Sequence, residues 1–200
     1  MKHCLFALLM LVLMSVGCTS TNKAATPDTA AQPSSAASAS SPSTNSDQAF
    51  VTKAAQGNSA EVELGKIVAA KSKNPSVKQF AQMMVKDHTT ALNELQELAQ
   101  AKNLNFNDDL TDDAKALQAK LSGDTARQLD RDYMDGMVED HQKDVQDFTD
   151  QSEKAKDPDV KQWASKTLPT LQKHLDKAQQ IDAKLNKGKA AGSAASGDSQ

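Results

Sequence analysis

His88, His141 and His174, with Glu61 and Glu63, are the residues whose types and spacing could do chemistry in this 200-residue chain. The chain has four histidines in all, and the fourth, His3, falls in an apolar leader. Two of the others end near-identical pentapeptides, MVKDH at 84–88 and MVEDH at 137–141, so that Asp87 and Asp140 each precede an imidazole. Imidazole and carboxylate are ligands for borderline transition metals, and three His with one Glu would suit zinc, iron, copper or nickel. Asp87 and Asp140 lie at the flank, where either could ligate or orient a ring. The competing expectation is a buried hydrogen-bonded layer of His and carboxylate groups that fixes helix register without a metal.

Other chemistries find less support. A di-iron carboxylate site needs Glu three residues before a His, and those positions hold Val85, Val138 and Leu171. Met83, Met84, Met134 and Met137 could form a soft copper(I) site, but methionines at helical spacing are first of all core filling. There is no Gly-rich phosphate loop, and serines concentrate in the tails, where no triad could be held. A net charge of −3 and a pI near 5.8, without a basic cluster, exclude nucleic acid as a partner. Without the di-iron pattern most enzymatic readings of such a fold fall away and no catalytic residue is assigned; an unrecognised metalloenzyme would need an open coordination position.

Helices must position these groups, because the chain between the tails shows almost no β pattern. A first helix is expected from about Asp47 to Ala70, with Phe50, Ala54, Val62, Gly65 and Val68 on one side. A second opens with Asn74 as cap and Pro75 at the first helical position. Its stripe runs through Val77, Phe80, Met84, His88, Leu92 and Leu95. A third covers about Thr125–Lys154 with Met134, Met137, His141, Val145 and Phe148 in register. A fourth opens with Asp157 and Pro158 and carries Val160, Ala164, Leu171, His174 and Ile181; Pro169 inside it should kink it or open a carbonyl. Residues 110–121 can form a short connecting helix. The three histidines and Glu61 fall near the midpoints of these four helices, within about one turn of height at 1.5 Å per residue. Each His fits its apolar stripe; Glu61 fits less cleanly, and Glu63 is its rival.

The two halves repeat. NPSVKQFA at 74–81 matches DPDVKQWA at 157–164, an offset of 83 residues, and DQAF at 47–50 then falls on DRDY at 130–133. The expected architecture is therefore all-α: a ferritin-like four-helix bundle, residues 47–186, built from two similar hairpins with a short connecting helix. The offset places His88 on Leu171 and His141 on Asn58, so the Asp-His pentapeptides are not copies of each other.

Residues 1–18, MKHCLFALLMLVLMSVGC, have a basic start, an apolar run too short to span a bilayer, and a terminal SVGC. That ending resembles a lipobox, with Ser15 where Leu is usual, and implies cleavage before Cys18 and acylation of it. The protein would then be exported and held on the bacterial envelope membrane by lipid, at the outer membrane or periplasmic face. Residues 19–46 are Ser, Thr, Ala and Pro, expected as a disordered tether spanning on the order of 30 Å. Residues 187–200 form a second loose tail.

The motifs E-x-x-L-G-K, M-V-x-D-H, D-x-x-Y-M followed by Asp-His, and T-L-P-x-L-x-x-H, over about residues 47–182, closely resemble the bacterial family called domain of unknown function 4142. In this chain they supply Glu63, His88, Tyr133, His141, Pro169 and His174. The resemblance implies a ferritin-like helical bundle and an exported or lipoprotein-like protein, and brings no activity with it.

Overall fold

The computed structural model describes residues 42–194, with side chains from 46 to 187. The leader, Cys18 and nearly all of the expected tether lie outside the described residues. Within them are five helices and no strand: α1 Pro42–Lys71, α2 Pro75–Lys102, α3 Asp112–Gly123, α4 Ala126–Lys154 and α5 Pro158–Ala194. No helix among the described residues is long and apolar enough to cross a membrane.

The inner helix ends follow from local chemistry. Asn74 Oδ1 accepts the N–H groups of Ser76 and Val77 at 2.9 and 3.4 Å, and Asp157 Oδ1 accepts those of Asp159 and Val160 at 2.8 and 3.2 Å. Thr111 and Thr125 cap α3 and α4 in the same way. Helix α2 stops at Asn103, whose φ of 53° is left-handed and lets the Leu104 N–H reach Ala99 O at 2.9 Å.

The outer ends differ from expectation. Helix α1 starts at Pro42 instead of Asp47, a third use of proline at the first helical position. Helix α5 continues past Asn186 to Ala194, through KGKAAGSA, where Lys and Ala favour helix although Gly188 and Gly192 do not. It also runs unbroken through Pro169.

Turns at 72–74 and 155–157 make α1/α2 and α4/α5 antiparallel pairs, which share the most extensive contacts in the molecule. Helix α2 packs on α5, and α1 on α4. The connection from α2 to α4 returns along the length of the pairs: α3 lies on α1, and Lys71 Nζ donates to the carbonyls of Leu121 (3.0 Å) and Ser122 at its C-terminal end. Asp47 and Asp130, equivalent under the 83-residue offset, reach the turn of the opposite pair. Asp47 accepts the N–H groups of Lys156 (3.0 Å) and Asp157 (2.7 Å), and Asp130 lies beside the Ser72 side chain, which lowers its carboxyl pKa against the larger effect of burial.

Two apolar clusters form the core. One gathers Phe80, Met84, Tyr133, Met134, Met137 and Ile181, with Met83 packed against it. The other centres on Phe50, whose ring meets Phe148 at 5.0 Å and Trp163 at 6.0 Å, with Leu95 and Leu171 beside them. The methionines are thus core filling. Burying a side chain of this size contributes about 1.5–3 kcal/mol, which holds the helices firmly enough to keep polar groups dry between the clusters.

Candidate functional site: a buried layer of three imidazoles

Between those clusters lie Asn58, Glu61, His88, His141 and His174, each at most 6% exposed although all are polar. Helices α1, α2, α4 and α5 contribute at least one residue each. The three ring centroids form a near-equilateral triangle with sides of 5.2, 5.4 and 5.5 Å. One nitrogen from each ring belongs to a set whose members all lie within 4.8 Å of one another.

Hydrogen bonding assigns the tautomers. His141 Nδ1 lies 3.0 Å from Met137 O, and a carbonyl can only accept, so this nitrogen carries the proton. His88 Nδ1 lies 2.7 Å from Glu61 Oε2 and 3.0 Å from Asn58 Oδ1. The Asn58 amide is oriented by its own donation to Ala54 O at 2.6 Å, so oxygen faces the ring and His88 Nδ1 is the donor. His174 Nε2 donates to Asp87 Oδ2 at 3.1 Å. The remaining nitrogens, His88 Nε2, His141 Nε2 and His174 Nδ1, carry lone pairs. Two of them face each other at 3.4 Å, and His88 Nε2 is buried with no hydrogen-bond partner.

Burial keeps the rings neutral. Desolvation pulls His88 down to about 4 despite nearby Asp87, and His174 to about 4 with His88 adding to the effect. His141 is lowered for the same reason, partly offset by Glu61. Desolvation in turn raises Glu61, against the pull of His141.

The carboxylates divide in ways that helix geometry explains. Glu61 is inside the layer on the Nδ1 side of two rings: Oε2 meets His88 Nδ1, and Oε1, buried without a hydrogen-bond partner, lies 3.3 Å from His141 Nδ1. Glu63, two residues on and about 200° round the helix, faces away and pairs with Lys66 at 2.6 Å. Asp87 orients a ring on another helix, His174. Asp140 reaches no imidazole, because neighbouring helical residues do not share a face; the backbone of Met137 takes that role for His141.

Two residues were missed. Asn58 supports His88, and half-buried Asp144 is raised by burial and by Glu61 beside it. The offset of 83 was the available signal, since it sets Asn58 on His141 and Asp144 on Glu61.

An all-helical protein with a buried tri-imidazole layer is the class these observations define. The chain belongs to the family described as Domain of unknown function (DUF4142), whose profile matches residues 31–181. No curated protein is a match. Among solved structures, the fold is similar to a DUF305 fragment from Deinococcus radiodurans, with a TM-score of 0.61 and 15% identity over 74% of this chain and 97% of that one. It is also similar to a putative secreted DUF305 protein from Streptomyces coelicolor, with a TM-score of 0.61 and 16% identity over 70% of this chain and 92% of that one. At such identity the likeness is one of fold.

Proposed function

We propose that this is an exported lipoprotein of the bacterial envelope, anchored through Cys18, whose ferritin-like four-helix bundle binds one transition-metal ion through His88 Nε2, His141 Nε2 and His174 Nδ1. The observation that carries the reading is the tautomer pattern. An acceptor holds the proton on the outer nitrogen of every ring, so the inner nitrogens lack a donor: two lie 3.4 Å apart and the third, His88 Nε2, is buried without a partner. A cation supplies what is missing. Tetrahedral zinc with bonds of about 2.0–2.1 Å separates its nitrogens by about 3.3 Å, so His141 and His174 need hardly move and His88 closes in. Zinc, iron, copper and nickel all accept such a donor set. Glu61, Asn58 and Asp87 hold the rings in place, and three protein ligands leave a further position for water or a small ligand.

A ferritin-like arrangement is favoured by the two antiparallel pairs and by the long return through α3, which acts as the crossover link. Export is favoured by the leader ending in SVGC and by the description of the Streptomyces coelicolor neighbour as a putative secreted protein. The second reading, a structural or partner-binding module with a hydrogen-bonded layer, draws on the satisfied outer nitrogens but leaves His88 Nε2 unpaired.

Metal analysis of the purified protein is expected to give one ion per chain, lost in a His88→Ala/His141→Ala variant. Chelator should lower the melting temperature, since free metal at 100 times its Kd adds about 2.7 kcal/mol. A metal-free protein with a chelator-insensitive melt contradicts the reading. Cys18→Ala is expected to move the protein from the membrane fraction to the soluble one; retention contradicts the anchor.

A further inference from the structure

We propose that the metal reaches the imidazoles through an acidic cleft between α1, α3 and α4 that narrows over Gly57. This route rests on the metal reading above and adds how the site is loaded. The outer cleft, about 310 Å³, is bordered by four acids, Glu61, Asp113, Asp140 and Asp144, and by Lys53 and Lys143. Both lysines are already paired, Lys53 with Asp147 and Lys143 with Glu139 at 2.8 Å, and Asp113 at the rim is exposed, so carboxylate oxygens are what the cleft offers an arriving cation.

Lys53, Gly57 and Asp144 also border a second, inner void, which reaches Asn58 and His88. That void has about 20 Å³ of room for water-sized bodies, enough for one, which suits a largely stripped ion. Gly57 stands where the two spaces meet. A glycine inside a helix weakens it relative to alanine, and here close packing does not require one: a Cβ at residue 57 would meet nothing within 4 Å. Gly65, about two turns further along α1, is the contrast, since its Cβ would come within 2.9 Å of Val85 Cγ2. A separate hollow, bordered by Met83, Lys173, Asp176, Lys177 and Gln180, touches none of the three imidazoles.

The test is zinc uptake by the chelator-stripped full chain, timed with a chromophoric indicator. Gly57→Leu, which fills the junction, should slow uptake at least tenfold while one zinc per chain still binds at equilibrium. Asp113→Lys, at the start of α3 and away from the imidazoles, should slow uptake several-fold at low salt and hardly at all at high salt. Uptake by Gly57→Leu within twofold of the natural chain overturns the route and leaves the metal site standing. So does loss of equilibrium binding in that variant, which would place residue 57 in the site itself. If Gly57→Leu does not fold, Asp113→Lys decides: a salt-sensitive slowing supports the route and an unchanged rate overturns it. A natural chain that takes up no zinc, iron, copper or nickel removes the metal reading, and the route with it.

Discussion

The hairpins α1/α2 and α4/α5 share caps and core but not the site. At the common offset, Val77 matches Val160, Phe80 matches Trp163 and Ala81 matches Ala164, all buried. Asp47 and Asp130 reach across to each other's turns. At mid-height the copies part: Asn58 stands opposite His141, Glu61 opposite Asp144, His88 opposite Leu171 and Ala91 opposite His174. One hairpin supplies a single imidazole and two groups that orient it; the other supplies two imidazoles. The packing that makes the bundle tolerates repetition, whereas the three buried imidazoles are divided unequally between the copies.

Making the halves alike should break the site. His141→Asn, which installs the residue of the other copy, removes one of the three proposed ligands and should weaken zinc binding at least 100-fold by competition titration. Asn58→Ala removes only an orienting bond and should cost about tenfold, the lower end for such supporting groups. Equal losses would mean that the hairpins contribute alike, against the account.

A smaller effect concerns acid. His174 has a folded-state pKa of about 4, below the usual 6.5, so between these values the unfolded chain binds a proton that the folded chain refuses. Its contribution to stability is therefore complete above pH 6.5 and lost as pH falls towards 4. Glu61 and Asp144, both raised, act in the opposite sense and mask part of this. His174→Ala, again the residue of the other copy, should make the metal-free protein less acid-sensitive, by up to about 1.4 kcal/mol per pH unit between pH 4.5 and 6.5. Urea unfolding at the two pH values reads this, and an unchanged slope contradicts it. The least effect is expected from Glu63→Gln, with zinc affinity within twofold of the natural chain; a larger loss would return Glu63 to the site.

Much of this was legible in the sequence where one residue suffices. Asn74-Pro75 and Asp157-Pro158 set two helix starts, and the apolar stripes put His88, His141 and His174 inside at one level. What escaped depended on angle and partner. Glu61 and Glu63 are two residues apart, and spacing alone did not say which faces inward; nor did it say that Glu61 would meet the protonated sides of the rings. Asn58 looked like an ordinary polar residue until its amide was seen pinned by Ala54 O. Pro42 carried the same start signal as Pro75 and Pro158, but the Ser- and Asn-rich residues after it hold no apolar side chain and read as tether.

The central claim is that three specific lone pairs converge. Nitrogen NMR of the histidine rings, with zinc added in steps, tests it most directly. The account predicts that His88 and His141 shift at Nε2 and His174 at Nδ1, all complete at one zinc per chain. Shifts at the opposite nitrogens, or rings that ignore zinc, would contradict it.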